Sequence, residues 1–131
     1  MTVLEHWFEE VWNKRNTDAI DKLWVPEKKV HGLAATHGGQ VDTIAAFKTF
    51  HRNFLSAFPD FHVQVEDTVT EGNKTVARLL VTGTHQGPGL RVPPTGKPVR
   101  FAGMAMARVK DGAVVESWNS FDFLSMYQQL E

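Results

Sequence analysis

The chain has 131 residues, with 14 Lys and Arg against 15 Asp and Glu, and a formal net charge of −1. This length predicts one domain over residues 1–131, and the balanced charge argues against a dedicated nucleic-acid binder, whose surface would be strongly basic. The absence of cysteine excludes disulfides, thiolate metal sites and a cysteine nucleophile.

The aromatic content is the unusual part of the composition. Nine Phe, four Trp and one Tyr carry much apolar area, which could fill a core, form an interface or line an apolar ligand pocket. No apolar run reaches the length of a membrane-spanning helix, so no membrane partner is expected. The N-terminus lacks the basic start and apolar stretch of a signal peptide, and we expect a cytoplasmic protein.

The first third of the chain predicts three helices. Thr2 and Glu5 match a capping box before apolar residues that continue at helical spacing to Trp12. A short helix is predicted over residues 18–24, ended by Pro26. After a strand over residues 29–34, Asp42 is the predicted N-cap of a long helix over residues 43–57.

The rest of the chain predicts strands over residues 61–69, 75–86, 99–109 and 113–120, joined by turns and by a Pro- and Gly-rich loop over residues 87–98. A short helix over residues 121–130 follows. Helices followed by consecutive strands predict an α+β fold with one sheet covered by helices. Such a sheet curls around what covers it, which predicts a cone with an apolar mouth.

Four groups of residues carry a resemblance to a known family. They are Trp12-Asn13 with Asp18, Ala57-Phe58-Pro59-Asp60-Phe61, Gly83-Thr84-His85-Gln86-Gly87 with Pro94-Thr95-Gly96-Lys97, and Glu116-x-Trp118-x-x-x-Asp122 with Gln128-Gln129-Leu130. In order and spacing they resemble the SnoaL-like polyketide cyclases, also called ester cyclases, of the NTF2-like superfamily.

The resemblance implies a cone-shaped α+β barrel with a curved mixed or antiparallel sheet and three N-terminal helices over a deep apolar pocket. It also implies catalysis without a metal or cofactor and a homodimer formed through the open face of the sheet. In the polyketide cyclases, an Asp near the end of the last strand is the acid/base of an aldol closure, and Asp122 is at the matching position.

Asp122 and His85 are the predicted catalytic residues. Asp122 lies between Phe121 and Phe123, and desolvation by aromatic rings suits a carboxylate that shuttles protons near neutral pH. The alternative is a carboxylate that caps the terminal helix. His85 shares strand parity with small and apolar residues and could donate to a substrate oxygen or orient Asp122. Its alternative is a buried structural histidine.

Two further histidines are candidate pocket residues. His51 would project from the long helix into the cone or lie half in water at the helix edge, and His31 would lie at the pocket rim. No histidines are paired at metal-binding spacing, and we predict no metal site. The remaining candidates for substrate contact, each of which could equally be ordinary core, are Trp12, Phe47, Phe50, Phe54, Phe58, Met104, Met106 and Trp118.

These observations favour a cofactor-independent acid/base enzyme for a small apolar cyclic or polyketide-like carbonyl compound. Asp122 would remove a proton α to a carbonyl, giving aldol cyclisation or isomerisation, and His85 would stabilise the enolate. Ser117 stands where many relatives have His, and the strand after the loop carries no ionisable pocket group, which weakens transfer of that mechanism. The alternatives are a hydrolase of epoxide type and a non-catalytic small-molecule binder.

Overall fold

The computed structural model describes residues 1–34 and 38–131. The order of its helices and strands confirms an α+β fold. Within these described ranges, four helices accompany one curved five-stranded sheet. The elements are α1 (Val3–Trp7), continued by a π-helical segment (Phe8–Asn13), α2 (Thr17–Leu23), β1 (Lys29–His31), α3 (Ile44–Ala57), β2 (His62–Glu71), β3 (Lys74–Thr84), β4 (Pro98–Lys110), β5 (Ala113–Phe121) and α4 (Phe123–Gln129).

The first helix begins with the predicted capping box and then widens. The Thr2 hydroxyl accepts from the Glu5 N–H at 3.2 Å, and the Glu5 carboxylate accepts from the Thr2 N–H at 3.0 Å. In the π-helical segment the Lys14 N–H bonds to the Glu9 carbonyl, five residues back, at 2.8 Å. Hydrogen bonding across five residues brings Trp7 and Trp12, themselves five apart, towards one face.

The long helix α3 begins one residue later than predicted. Thr43, not Asp42, is its N-cap, because the Thr43 hydroxyl is placed to accept from the Ala46 N–H at 3.1 Å. The helix lays its apolar side on the sheet, and its buried residues are Phe47, Phe50, His51, Phe54 and Ala57.

The sheet has the strand order β1-β5-β4-β3-β2, with β1 parallel to β5 and the other pairs antiparallel. Its inner face packs against the helices and carries buried side chains such as Leu79, Phe101 and Ala105. Its outer face turns away from them. The outer face includes His31, Val69, Val76, Arg78, Leu80, Ala102, Met104, Met106, Arg108, Glu116 and Trp118.

Side-chain bonds to backbone join the first helix to the turn between α3 and β2. Asn13 accepts from the Val63 N–H and donates to the Val63 carbonyl, both at 2.8 Å. Arg15 donates to the carbonyls of Pro59 and Phe61. Across the same turn, Asp60 accepts from the Thr84 N–H and hydroxyl, at 2.6 and 2.8 Å. These bonds join the end of the first helix, the α3–β2 turn and the adjoining parts of β2 and β3.

The core lies between the inner face and the helices and is dominated by aromatic and branched side chains. Within residues 1–34 and 38–131, none of the helices has the length and apolar character needed to cross a membrane.

Candidate functional site

An apolar cavity lies between the first helix, α3 and the inner face of the sheet. Its volume, counted as the space open to the centre of a water molecule, is about 40 Å³. We call it the aromatic cavity. Its lining residues are Trp7, Phe8, Trp12, Leu33, Phe47, Phe50, Phe54, Phe61, Val63, Val81, Phe101, Asn119, Phe121 and Phe123.

Trp12 organises the wall of the aromatic cavity. Its ring meets Phe47 and Phe50 edge-on, at centroid distances of 5.9 and 6.0 Å, and lies 5.1 Å from Phe61. Edge-to-face pairs of this kind are favourable beyond their buried area. The structure thus brings Trp12, Phe47, Phe50 and Phe54 to the cavity, as their predicted role requires, and their contact with a substrate stays a prediction.

Four residues predicted for the pocket lie on the outer face instead. Met104, Met106 and Trp118 alternate with inward-facing residues of β4 and β5, so their side chains point away from the helices. His31 stacks on Trp118 with ring centroids 5.6 Å apart. The sequence pattern is ambiguous here because residues 103–107 of β4 carry only Gly103, Ala105 and Ala107 on the inner face, whereas the two large apolar side chains of this stretch lie on the outer face.

His31 belongs to a polar cluster on that outer face. Its Nε2 lies 2.8 Å from one oxygen of Glu116, and Arg108 donates to the other oxygen at 3.0 Å. Hydrogen bonds from His31 and then Arg108 lower the pKa of Glu116, against a smaller opposing effect of desolvation. This cluster holds β1 against β5 and faces away from the aromatic cavity.

Asp122 caps α4 and is exposed to solvent. Its Oδ1 accepts from the Ser125 N–H at 3.0 Å, the geometry of an N-cap. The flanking rings of Phe121 and Phe123 both line the aromatic cavity, as the bracketing in the sequence suggested, but the carboxylate between them is not part of the described lining. The capping alternative is therefore the arrangement in this structure.

His85 is fully buried on the inner face, at the end of β3, as its strand parity predicted. Its Nδ1 accepts from the Thr95 N–H at 3.3 Å and lies 3.0 Å from the Thr95 hydroxyl. The proton of the neutral ring is therefore on Nε2, which has no hydrogen-bond partner among the described residues. Desolvation lowers the pKa of His85, and Phe58 packs 5.6 Å from its ring.

His51 and Phe58 are core residues beside the aromatic cavity rather than members of its described lining. His51 Nε2 donates to the Val11 carbonyl at 2.7 Å, which ties α3 to the first helix. Burial lowers the pKa of His51, with a smaller opposing effect of this hydrogen bond. Phe58 is fully buried, and its side chain fills the space over Gly83, where an added Cβ would lie 3.0 Å from it.

Asn119 is a candidate that the sequence interpretation missed. Apart from the indole N–H groups, it is the only polar side chain in the described lining of the aromatic cavity. Its amide nitrogen donates to the His31 carbonyl at 3.0 Å and to the Ser117 hydroxyl at 3.3 Å, while its Oδ1 accepts no bond from the described residues. The signal was available: Asn119 shares strand parity with Ser117 and Phe121.

Lys28 is a second missed candidate, at a smaller pocket beside the aromatic cavity. This lysine pocket has about 30 Å³ open to the centre of a water molecule and shares Trp7, Phe8, Leu33, Phe47 and Asn119 with the cavity. Its other lining residues are Leu4, Trp24, Lys28, Val30, Val114 and Ser117. Desolvation lowers the pKa of Lys28 to about 8. Within the described ranges, no three of the side chains that bind metals gather into a metal site.

Comparison with known proteins agrees with this architecture. The sequence pattern of the SnoaL-like polyketide cyclases matches residues 2–130. IdmH from Streptomyces antibioticus, a proposed polyketide cyclase, is 28% identical with a TM-score of 0.82, over 98% of this chain and 95% of that one. AclR from Streptomyces galilaeus, a proposed hydroxylase, is 29% identical with a TM-score of 0.78, over 92% of this chain and 73% of that one.

A more distant structure extends the comparison to the fold alone. A protein from Catenulispora acidiphila with a ketosteroid isomerase-like fold is 12% identical, with a TM-score of 0.77 over 98% of this chain and 93% of that one. No curated protein matches the sequence. The fold is thus of the NTF2-like, or ketosteroid isomerase-like, type, and the match over nearly the whole chain means that the protein belongs to the SnoaL-like polyketide cyclase family.

Proposed function

We propose that this protein is a cofactor-independent cyclase or isomerase that binds a small apolar carbonyl compound in the aromatic cavity. The observation that carries the proposal is the lining itself, in which aromatic rings surround one polar side chain, Asn119. Ligand pockets typically combine such an apolar wall with few polar groups that orient the ligand. A cyclic or polyketide-like ring would pack on the aromatic wall with a hydroxyl group that donates to the Oδ1 of Asn119.

Asp122 is the proposed acid/base. One of its oxygens caps α4, which leaves the other to accept a proton. Because Phe121 and Phe123 line the aromatic cavity on either side, a ligand that reaches between their rings would approach the carboxylate. The carboxylate would take a proton from the carbon α to a carbonyl. In a cyclisation the enolate carbon would attack a second carbonyl, and the alkoxide so formed would take the proton back from the carboxyl group; in an isomerisation the carboxyl group would return the proton to another carbon of the conjugated enolate.

His85 is the second proposed catalytic group. Its Nε2–H has no partner among the described residues, so the ring has a donor to offer to an enolate oxygen. The aromatic cavity has only about 40 Å³ for water-sized spheres and does not include His85 in its described lining. Binding of a ring-sized substrate therefore needs the cavity to widen, and the proposed contact with His85 depends on that opening.

The test is α-proton exchange, which detects enolisation without knowledge of the natural substrate. 1-Indanone in D₂O is followed by proton NMR with wild-type protein, Asp122→Asn and the matched control Asp111→Asn, which changes an exposed turn carboxylate. We expect Asp122→Asn to slow exchange by about 10²–10⁴-fold. Because Asn is as good an N-cap as Asp, unfolding should stay unchanged. Equal rates for wild type and Asp122→Asn would remove the carboxylate from the mechanism.

Binding without catalysis is the second candidate function. It is favoured by the exposed, capping position of Asp122 and by a described cavity lining that contains no carboxylate. In that case wild-type protein would bind 1-indanone, seen as shifts of Trp7 and Trp12 indole signals, yet exchange would be no faster than in buffer. The hydrolase alternative, which needs paired carboxylates and an Arg, gains no support from this lining.

A homodimer through the outer face is part of the proposal. Met104 is 49% exposed and Val69 is 65% exposed on that face, beside partly exposed Val76, Leu80 and Trp118. Exposed apolar surface of this kind marks interaction sites.

The absence of a cofactor and the cytoplasmic location stay predictions.

A further inference from the structure

Lys28 is a buried cation held by two aromatic rings. Its side chain turns inward because it alternates with the exposed Lys29, and the residue is only 9% exposed. Lys28 Nζ lies 4.2 Å from the ring centroid of Trp7 and 4.5 Å from that of Trp24. Two indole faces within this distance attract an ammonium group and fix its position.

No carboxylate of the described residues forms an ion pair with this cation. Among the described residues, Lys28 takes part in no ion pair and its Nζ makes no side-chain hydrogen bond. Residues 35–37 are Ala, Thr and His, so every Asp and Glu of the chain lies within residues 1–34 and 38–131. Removing an ammonium from water is costly unless the group is paired, and burial accordingly lowers the pKa of Lys28 to about 8.

The ammonium faces a pocket rather than packed core. Lys28 lines the lysine pocket together with two further polar side chains, Ser117 and Asn119, and the rest of the described lining is apolar. Asn119 also lines the aromatic cavity, as do Trp7 and Phe47. A ligand whose apolar body lies in the aromatic cavity could therefore reach the lysine pocket with one polar end.

We propose that Lys28 is an anion-binding group, which receives the negatively charged oxygen of an apolar ligand whose body occupies the aromatic cavity. The oxyanion is either a carboxylate of the ligand or the enolate oxygen of a 1,3-dicarbonyl group; both present a delocalised charge to the ammonium. The inference rests on the proposed function to the extent that the ligand body lies in the aromatic cavity. It supplies the counter-charge that the chain itself lacks at this position.

The experiment compares anions with neutral molecules of the same shape. Benzoate is paired with benzamide, and the enolate of 1,3-cyclohexanedione with 3-methoxycyclohex-2-enone. Binding is measured near pH 7 from indole N–H signals in ¹H–¹⁵N NMR spectra. Trp7 and Trp24 report on the lysine pocket, and Trp118 on the outer face is the internal control. The variants are Lys28→Met, which keeps length but not charge, Lys28→Arg, and the matched control Lys29→Met.

We expect wild-type protein and Lys29→Met to bind at least one anion about tenfold or more tightly than its neutral partner. Lys28→Met should bind both members of the pair equally, and Lys28→Arg should retain part of the preference. The pair that shows the preference identifies the oxyanion. If neutral molecules bind as well as anions, the inference fails and the proposed function stands; if none binds, both fail. A preference retained in Lys28→Met would also overturn the inference.

Discussion

Two consecutive lysines at the start of β1 have different surroundings because their side chains point to opposite sides of the chain. Lys29 is exposed and begins β1, opposite Glu116 in the parallel register, whereas Lys28 turns towards Trp7 and Trp24. The side-chain chemistry is identical, so the surroundings alone decide that one is a solvated surface charge and the other a desolvated cation. A buried ammonium without a counter-charge is unfavourable for stability, and this makes Lys28 a sensitive probe of the pocket.

The pH dependence of the free energy of unfolding should reveal the desolvation of the Lys28 ammonium group. Because burial lowers the pKa of Lys28 to about 8 from the ordinary 10.5, the unfolded chain binds more protons between these pH values. The native state therefore gains stability as the pH rises through this window, by at most about 3 kcal/mol. Urea unfolding of wild type and Lys28→Met at pH 7.5 and 10.5 measures it, with Lys29→Met as control. A pH-independent difference between wild type and Lys28→Met would contradict the desolvation account.

At the scale of elements, the π-helical segment is important because it places aromatic side chains on the face of the first helix that lines the aromatic cavity. It directs Trp7, Phe8 and Trp12 into the aromatic cavity, and it ends at Asn13, whose side chain pairs with both backbone groups of Val63 on the edge strand β2. Asn13 thus takes the place of a neighbouring strand for one residue. The π-helical segment and the sheet are joined at the wall of the cavity.

Replacing Asn13 by Ala should destabilise the fold by about 2–3 kcal/mol, since the hydrogen bond to the Glu9 carboxylate and both bonds to Val63 are lost, and the Val63 N–H and carbonyl lose their partner. The control is Asn73→Ala, at an exposed turn where the Asn side chain forms no hydrogen bond within the described part of the chain. Chemical denaturation measures both variants. Equal stability of Asn13→Ala and Asn73→Ala would show that water replaces the Asn13 bonds without cost.

At the scale of the whole molecule, the two faces of the sheet differ in what covers them. The inner face packs on the helices and forms the aromatic cavity, whereas the outer face carries partly exposed apolar residues and the His31–Glu116–Arg108 cluster. A sheet with apolar residues on both faces is typical of one that is covered on both sides. A second copy of the chain is the cover that we propose.

The charge substitution Met104→Asp should therefore convert a dimer into a monomer, because it places a carboxylate in the middle of the outer face. The control is Leu124→Asp, which changes an equally apolar residue that is 70% exposed on α4. Light scattering coupled to size-exclusion chromatography gives the mass of each species. A wild-type protein that is monomeric at micromolar concentration would refute the outer-face dimer.

Sequence patterns alone predict the family, the α+β class and nearly every helix and strand of the described residues. The predicted helices and strands agree with α1–α4 and β1–β5 to within a few residues, because apolar periodicity, caps and Pro or Gly breaks are local properties. The strand predicted over residues 29–34 ends at His31, and the cap of α3 is Thr43. The excess of aromatic residues is consistent with an apolar pocket, and four of the predicted wall residues, Trp12, Phe47, Phe50 and Phe54, line the aromatic cavity.

Which face of the sheet the helices cover follows from the tertiary packing and cannot be read from the sequence pattern. Alternation in β4 and β5 says that Met104 and Trp118 share a face, but the helices that cover the other face are distant in sequence. Likewise, Asp122 between two aromatic residues predicts desolvation, yet a turn into α4 exposes the carboxylate while both rings point inward. Lys28 was missed for the same reason, since Trp7 and Trp24 surround it only after the first two helices fold against β1.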